Sequence, residues 1–349
     1  MHTEYFSIHR DNPDEEVMKR AAVLIRQGRL VAFPTETVYG LGANGLDGEA
    51  AGGIFRAKGR PSDNPLILHI SSEKELSQIA REIPANAKAL MKAFWPGPLT
   101  VVLKKTEAVP KVISGGLDTV AVRLPASVVA RRLIELAGVP IAAPSANTSG
   151  RPSPTSAQAV MDDLAGRIDA VLDAGMCDIG VESTVVDCTT PVPTLLRPGG
   201  VTLEMLVEVL GEVEVDPALE GNPEYKPRSP GMKYTHYAPN APMILVEGDY
   251  HRISHVLTLE VELALAQGKR VGAVVSSQLA QMLPASAVTA VYGSKGDAGA
   301  YAANLYEVLR SFDQNPVDVI YAEGVREEGL GLAVMNRLRK ASGYHILKG

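Results

Sequence analysis

The sequence has few cysteines and few aromatic residues. Of its 349 residues only Cys177 and Cys188 are cysteine, and Phe, Trp and Tyr together make up 5%. Two cysteines without a CxxC pair or zinc-ligand spacing argue against a disulfide scaffold and a zinc finger, and predict buried thiols in a reducing compartment. Scarce aromatic residues argue against a surface of stacked rings, which many proteins use to bind single-stranded nucleic acids.

Long apolar runs and an excess of positive charge are also missing. No stretch approaches the roughly eighteen apolar residues that a membrane helix requires, and residues 1–16 are polar and acidic, unlike a signal peptide. The net charge of -6 and the pI of about 5.7 argue against nonspecific binding of polyanions by the whole molecule, although not against a local basic patch. We therefore expect a cytoplasmic globular protein.

Three familiar kinds of site are not indicated. The sequence contains no GxxxxGK[ST] motif, so a nucleotide, if bound, is not held by a P-loop. His251 and His255 are four residues apart, but they lack the glutamate of HExxH, which favours surface residues over metal ligands. No Ser-His-Asp triad can be assembled from spacing.

The length and the order of predicted elements indicate two domains. In residues 1–211, strands and helical patterns alternate, but some strands follow one another too closely for a helix to intervene, which predicts an open, twisted, mixed sheet with helices. Residues 212–242 contain six prolines and little periodicity and predict a linker. Residues 243–349 alternate strand and helix and predict a smaller, parallel, Rossmann-like α/β domain. This domain has no GxGxxG fingerprint after its first strand, so its fold alone indicates no dinucleotide site.

A basic cluster stands out in "FRAKGRPSDNPLILHI", residues 55–70. Arg56, Lys58 and Arg60 surround a predicted Gly-Pro-Ser-Asp turn that leads into an apolar strand. Taken alone, such a cluster is more typical of a solvated surface loop than of an anion site.

Three further segments place polar side chains at predicted strand ends. "FPTETVYGLGANG" (33–45) carries Thr35, Thr37 and Tyr39 before a glycine-rich turn, where hydroxyl groups could bind a small polar ligand. Residues 142–160 form a Ser/Thr/Asn-rich loop before a helix predicted to begin near residue 155, a setting that favours phosphate oxygens. The third segment, "VESTVVD" with "LLRPGG", contributes the polar residues Ser183, Thr184 and Arg197. Each segment alone could equally be a strand end or a capped loop.

Taken together, these segments resemble a known family. "PTETVYGLG", "KGRPSDNPL", "WPGPLT", "VAVRLP", "APSAN", "ESTVVD" and "RPG" occur in the order found in YrdC-like threonylcarbamoyl-AMP synthases. "SPGMKYTHYAP" and the alternating domain after it resemble the long, two-domain form of that family. The resemblance covers essentially the whole chain, and it includes both the KxR pair (Lys58 and Arg60) and the SxN pair (Ser145 and Asn147).

The resemblance implies a nucleotidyltransferase that joins L-threonine, bicarbonate or carbon dioxide, and ATP into threonylcarbamoyl-AMP and pyrophosphate. It implies that Lys58 and Arg60 are catalytic. The residues implied to bind L-threonine are Thr37, His69, Arg123, Ala143 and Ser183. Those implied to bind ATP are Arg60, Asn64, Thr119, Ser145, Asn147, Ser153 and Arg197. Mg²⁺ is expected with ATP, without a named protein ligand. The implied partners are a tRNA threonylcarbamoyl transferase that receives the product and a weak contact with tRNA or double-stranded RNA.

The linker is dense in side chains that could bind a ligand. We hypothesise that "SPGMKYTHYAP" folds over the catalytic mouth as a lid, with Tyr234 or His236 near the nucleotide, and a rigid spacer is the alternative. Two other functions compete with the synthase. A noncatalytic RNA-binding module would use the basic cluster for phosphates. A carbamoylating maturation factor would carry zinc fingers, for which this chain has no cysteine pattern.

Overall fold

The computed structural model describes residues 2–220 and 236–349, which divide into two compact units. Unit 1 comprises residues 2–149, 153–178 and 182–220. Unit 2 comprises residues 150–152, 179–181 and 236–349. Tyr234, a predicted nucleotide contact, lies outside the described residues, as does most of the predicted lid segment.

The described part of unit 1 is built on one eleven-stranded sheet. Its strands are β1 Glu4–Ser7, β2 Val31–Pro34, β3 Tyr39–Asn44, β4 Ile67–His69, β5 Leu99–Lys104, β6 Thr119–Arg123, β7 Ile141–Ala142, β8 Ala170–Asp173, β9 Thr184–Asp187, β10 Thr194–Arg197 and β11 Glu214–Val215. They lie in the order β1-β8-β2-β3-β7-β4-β6-β5-β9-β10-β11. Parallel pairs such as β4–β6 and β5–β9 alternate with antiparallel pairs such as β5–β6 and β9–β10. The predicted mixed sheet is confirmed.

The helices of unit 1 pack against this sheet. They are α1 Glu15–Arg26, α2 Gly48–Lys58, α3 Leu76–Ile79, α4 Ala85–Phe94, α5 Lys111–Ser114, α6 Val128–Ala137, α7 Ala157–Leu164 and α8 Leu203–Leu210. Helix α1 shows why such segments are helical: the Asp14 carboxylate accepts from two free N–H groups at its start, and Met18, Ala21, Ala22 and Ile25 recur on one buried face. That face joins α6 and strands β2 and β8 in one apolar cluster. These side chains form an apolar core between the two helices and the sheet.

The basic segment differs from its sequence interpretation. Arg56 and Lys58 do not flank a turn but lie in the last turn of α2, and only Arg60 lies beyond the helix. Gly59 ends the helix with φ of 62°, a left-handed conformation that favours glycine. The preceding "AAGG" is a weak helix former, which concealed the helix in the sequence. Cations at a helix C-terminus interact favourably with the helix dipole, so Arg56 and Lys58 also stabilise the end of α2.

Unit 2 contains a five-stranded parallel sheet in the order β14-β13-β15-β12-β16. Its elements are β12 Met243–Glu247, α9 Tyr250–Ala266, β13 Val271–Val275, α10 Ser277–Ala280, β14 Val288–Val291, α11 Ala298–Gln314, β15 Val319–Glu323, α12 Leu330–Ala341 and β16 Ile346–Lys348. The predicted parallel α/β architecture is confirmed. His251 and His255 are exposed on α9, as the sequence predicts.

The two cysteines and the lengths of the apolar helices can be compared with the sequence expectations. Both cysteines are buried free thiols, and burial raises the pKa of Cys188 to about 12 and that of Cys177 further above its usual value. In the two described ranges, no helix combines the length and the apolar character needed to cross a membrane.

Candidate active site

The sheet brings several predicted site residues to neighbouring strand ends in unit 1. Parallel strands β4 and β6 pair His69 with Arg123, the last residue of each strand. Antiparallel β5 places Thr100 opposite Arg123. Strand β9 runs parallel to β5 and pairs Thr184 with Leu99, so Ser183 lies just before it. Pairing of four strands therefore sets polar side chains in a row across one edge.

Arg123 is the centre of this row. Its Nη1 donates to Thr37 Oγ1 at 2.8 Å, its Nη2 donates to Glu36 Oε1 at 2.6 Å, and its Nε donates to the carbonyl of Gly97 at 3.2 Å. Thr37 is itself held by the hydroxyl of Thr35, 2.8 Å away, in the turn between β2 and β3. The guanidinium is thus buried and oriented by three acceptors.

His69 is buried beside this guanidinium. Burial and the positive charge of Arg123 lower the pKa of His69 to about 3, so its ring is neutral at physiological pH. Its Nδ1 is buried and makes no hydrogen bond with any residue that the structure describes. A buried polar atom without a protein partner is typical of a site that completes its hydrogen bonds with a ligand.

A second hydroxyl cluster lies further along the same row, on β5 and just before β9. Ser183 Oγ is 2.7 Å from Thr100 Oγ1, and Arg197 Nη2 donates to Ser183 Oγ at 3.1 Å. Arg197 also binds the carbonyl of Ser183 through Nε and Nη2. Gly199 makes this packing possible, because a Cβ there would lie 2.3 Å from the carbonyl oxygen of Glu182. Arg197, predicted for the nucleotide, therefore contacts a residue predicted for threonine.

The KxR and SxN motifs meet directly. Lys58, almost fully buried, donates from Nζ to the carbonyl oxygens of Ser145 and Asn147, the latter at 2.5 Å. Ser145 Oγ donates to Asn147 Oδ1 at 2.6 Å, and the amide N–H of Ser149 donates back to the carbonyl of Lys58 at 2.9 Å. The C-terminus of α2 and the loop after β7 are thereby joined. Asn147 Oδ1 is a third acceptor, 3.5 Å from Nζ, so contact between Lys58 and a phosphate would require exchange of one of these bonds.

Beyond α2, the chain presents Arg60 and Asn64. Arg60 is partly buried and its Nη2 lies 3.4 Å from the carbonyl of Pro65. Asn64 is 2% exposed, and neither its Nδ2 nor its Oδ1 bonds to any described residue. A buried amide normally forms several hydrogen bonds, so this one is available to a ligand.

The other predicted residues have the following places. Ala143 is buried after β7, and its N–H donates to the carbonyl of Ile67 at 3.0 Å. Ser153 Oγ donates to the buried carboxylate of Glu182 at 2.5 Å. Thr119 is the first residue of β6 and so lies about 13 Å along the strand from Arg123. His236 belongs to unit 2, where its ring contacts that of Tyr237.

Comparisons with known proteins decide the family. A family model described as "Telomere recombination", for Sua5, YciO and YrdC sequences, matches residues 23–199. A second, described as "Threonylcarbamoyl-AMP synthase, C-terminal domain", matches residues 201–343. The threonylcarbamoyl-AMP synthase of Pyrococcus abyssi is 52% identical, with 97% of this chain and 98% of the relative covered. That of Bacillus subtilis is 48% identical, with 94% of each covered.

The chain belongs to the threonylcarbamoyl-AMP synthase family. It has the long, two-domain form of that family, and it is an enzyme of the nucleotidyltransferase type. The crystal structure of Sua5 from P. abyssi in complex with L-threonine shares the fold with a TM-score of 0.95 and 51% identity, covering 99% of this chain and all of that one.

Sequence reasoning missed three buried polar residues of this candidate site: Glu36 on Arg123, Thr100 on Ser183, and Glu182 on Ser153. A signal was present for Glu36, because a glutamate in a turn flanked by apolar strands needs a partner once it is buried. Its partner lies 87 positions away, so only the tertiary structure identifies it.

The described residues form no site for a metal ion. Within residues 2–220 and 236–349, no group of three or more His, Cys, Asp or Glu side chains could hold one.

Proposed function

We propose that unit 1 condenses L-threonine, bicarbonate or carbon dioxide, and MgATP into threonylcarbamoyl-AMP and pyrophosphate, through the residues described above. The proposal has two chemical steps. The threonine nitrogen forms a bond to the carbon of the one-carbon unit, which gives a carbamate anion: with carbon dioxide the nitrogen only loses a proton, and with bicarbonate that proton leaves together with a hydroxyl group as water. A carbamate oxygen then attacks the α-phosphorus, and pyrophosphate leaves.

Charge is the main obstacle to the second step. A carbamate and a triphosphate are both anions, so they repel each other in water. At an effective dielectric constant near 20, a cation about 4 Å from a phosphate oxygen supplies about 4 kcal/mol, or about three decades of rate if the interaction exists only in the transition state. We assign this role to Arg60, whose planar guanidinium can bind two oxygens, and to Lys58. In-line phosphoryl chemistry is largely positioning, so no protein nucleophile is needed.

The threonine subsite is assigned to the row of strand ends. The single observation that carries the proposal is the buried Arg123 guanidinium between Thr37 and the neutral His69. Such a group suits a carboxylate, and hydroxyl and imidazole groups beside it suit the hydroxyl and nitrogen of an amino acid. The ligand of the P. abyssi structure, L-threonine, is consistent with this assignment. We include Ala143 and Ser183 in the same subsite.

The nucleotide subsite is assigned to the residues that surround the Lys58–Asn147 contact. The buried amide of Asn64 supports this assignment, because its Nδ2 and Oδ1 lack partners among the described residues. Ser145 and Asn147 would face the phosphates, since their loop is fixed by Lys58. Thr119, Ser153 and Arg197 complete the proposed contacts with the adenylate, and Tyr234 and His236 remain proposed lid residues.

The product is a mixed anhydride that hydrolyses readily, so it requires a prompt acceptor. We propose that it passes to a tRNA threonylcarbamoyl transferase in the cytoplasm, and that a weak contact with tRNA accompanies this transfer.

The test is pyrophosphate release with MgATP and bicarbonate when threonine is omitted, replaced by serine, or supplied. The proposal predicts release that depends on threonine and is weaker with serine. No release under any of these conditions, together with RNA affinity that falls steeply with salt, would favour the noncatalytic RNA-binding alternative.

A further inference from the structure

The buried carboxylate beside the proposed threonine subsite has no role in the chemistry so far. Glu36 lies in the turn between β2 and β3, and its side chain is 10% exposed. Oε1 accepts from Arg123 Nη2 at 2.6 Å, and Oε2 accepts from the N–H of Ser127 at 3.3 Å. Both oxygens are therefore used, one by the guanidinium and one by the start of α6.

This carboxylate is charged despite its burial. Burial acts to raise the pKa of Glu36, but the charge of Arg123 and hydrogen bonds from the guanidinium and the backbone outweigh it, so the pKa lies below its usual value. The N-terminus of α6 also favours an anion here. Ser127, whose N–H donates to Glu36, is the N-cap of that helix, and the positive end of a helix dipole stabilises negative charge. Glu36 is thus a permanent negative partner of Arg123 at neutral pH.

The geometry of Arg123 depends on this partner. An arginine side chain has several rotatable bonds, so holding it in one orientation opposes its rotamer entropy. Glu36, Thr37 and the carbonyl of Gly97 fix three of its five N–H groups among the described residues. Of these three acceptors only Glu36 is charged, and it fixes the Nη2 end. One N–H on each Nη atom remains for a ligand.

A pocket of about 350 Å³ is lined in part by Glu36. Its lining includes Pro34, Glu36 and Ser127, and it does not include Arg123. Glu36 therefore contacts both Arg123 and the pocket. Removal of the carboxylate would therefore leave Nη2 of Arg123 without its charged acceptor.

We propose that Glu36 is a positioning residue for the amino-acid substrate. It acts through Arg123 by holding the guanidinium in the one orientation that presents its remaining N–H groups to the threonine carboxylate. This inference rests on the proposed assignment of Arg123 to that carboxylate. It predicts that Glu36 governs the KM for threonine and leaves the KM for ATP unchanged.

Two substitutions separate positioning from a structural role. Glu36→Ala removes the anchor, and we expect the threonine KM to rise at least tenfold while the ATP KM stays within twofold. Glu36→Gln keeps an oxygen for Arg123 but turns an NH₂ group towards the N–H of Ser127. We expect it to lower the Tm and to raise the threonine KM less than Glu36→Ala does, because an oxygen still accepts from Arg123 although the charge is lost. If the alanine variant does not fold, Glu36→Asp takes its place, and its shorter carboxylate should raise the threonine KM at least threefold.

The matched control is Glu15→Gln, which neutralises a glutamate paired with Arg132 at the exposed surface of the same unit. Both KM values should stay at the wild-type level. A threonine KM within threefold of the wild type in Glu36→Ala, or an equal rise in Glu36→Gln and Glu36→Ala, would overturn the inference. A wild-type enzyme whose pyrophosphate release ignores threonine would instead overturn the proposed function itself, so the two failures are distinguishable.

Discussion

Lys58 Nζ lies 2.5 Å from the main-chain oxygen of Asn147 and 3.5 Å from its side-chain Oδ1. This contact joins the KxR and SxN motifs. Lys58 is 87 positions before Ser145 and 89 positions before Asn147 in the sequence. The contact gives Lys58 a positioning role in addition to its charge: the lysine holds the loop that is proposed to surround the phosphates. A buried ammonium with several acceptors is also costly to remove, because those acceptors would be left without donors.

Replacing Lys58 by methionine should reduce pyrophosphate release by about two to three orders of magnitude. The substitution keeps the apolar stem but removes the charge and the donors that hold residues 145–147, and loss of one electrostatic contact in an active site costs about this much. Steady-state pyrophosphate release measures the effect. The control is Lys104→Met, which removes an exposed lysine of β5 and should have no effect. Turnover of Lys58→Met within fivefold of the wild type would contradict the assignment.

Replacing Arg123 by lysine should raise the threonine KM about tenfold or more, with little change in the ATP KM. A lysine keeps the charge, but it lacks the planar fork that serves Glu36, Thr37 and a carboxylate together. The measurement is the dependence of pyrophosphate release on each substrate. If the ATP requirement alone changed, the two subsites would have been assigned in reverse.

Replacing Asn64 by leucine should stabilise the free enzyme while it weakens ATP binding. A buried amide without hydrogen bonds costs about 1–3 kcal/mol, so an apolar side chain of similar size should raise the free energy of unfolding by about 1 kcal/mol. The same change should raise the ATP KM about tenfold. Denaturant unfolding and substrate titration measure the two effects.

The matched control for this change is Asn44→Leu. Asn44 Oδ1 accepts from the N–H of Leu46 at 3.0 Å, so its loss should lower stability and leave the ATP KM unchanged. A loss of stability in Asn64→Leu as large as that in the control would show that the Asn64 amide has a partner in the free enzyme.

Several strands could be predicted from the sequence with the bounds that the structure has. The runs at 170–173, 184–187 and 194–197 are short, apolar and bounded by turn residues, so their local pattern is decisive. Helix α4, at residues 85–94, has an equally clear local pattern, with Ala87, Leu90 and Met91 on its buried face. Helix α2 is harder to predict, because its adjacent glycines weaken the helical pattern, although Asp47 caps it locally by accepting from the N–H groups of Glu49 and Ala50.

The site could be predicted only in part. Motif order identified His69, Arg123 and Ser183, but strand pairing alone shows that they lie side by side. The partners Glu36 and Thr100 were missed, because a single acidic or hydroxyl residue in an apolar context has no local signature of its partner. Such residues become visible only when burial and long-range contacts are known.

The buried His69 predicts a pH dependence of stability. Its pKa falls from 6.5 to about 3 on folding, so between these values the unfolded state binds more protons and acid destabilises the protein. Stability should therefore fall by up to about 1.4 kcal/mol per pH unit on this account as the pH drops below 6.5. Unfolding at pH 6 and pH 5 should show a shallower dependence for His69→Gln than for the wild type. Equal slopes would mean that His69 can be protonated in the folded state.

The central claim is that cations bring two anions, the threonine carbamate and the triphosphate, into contact across the strand ends of unit 1. A crystal structure of the full chain with L-threonine and a non-hydrolysable ATP analogue tests it most directly. We predict triphosphate oxygens at hydrogen-bond distance, about 3 Å, from Arg60 and Asn64, with the threonine carboxylate on Arg123. A triphosphate bound away from residues 58–64, or a threonine carboxylate bound elsewhere than on Arg123, would contradict the account.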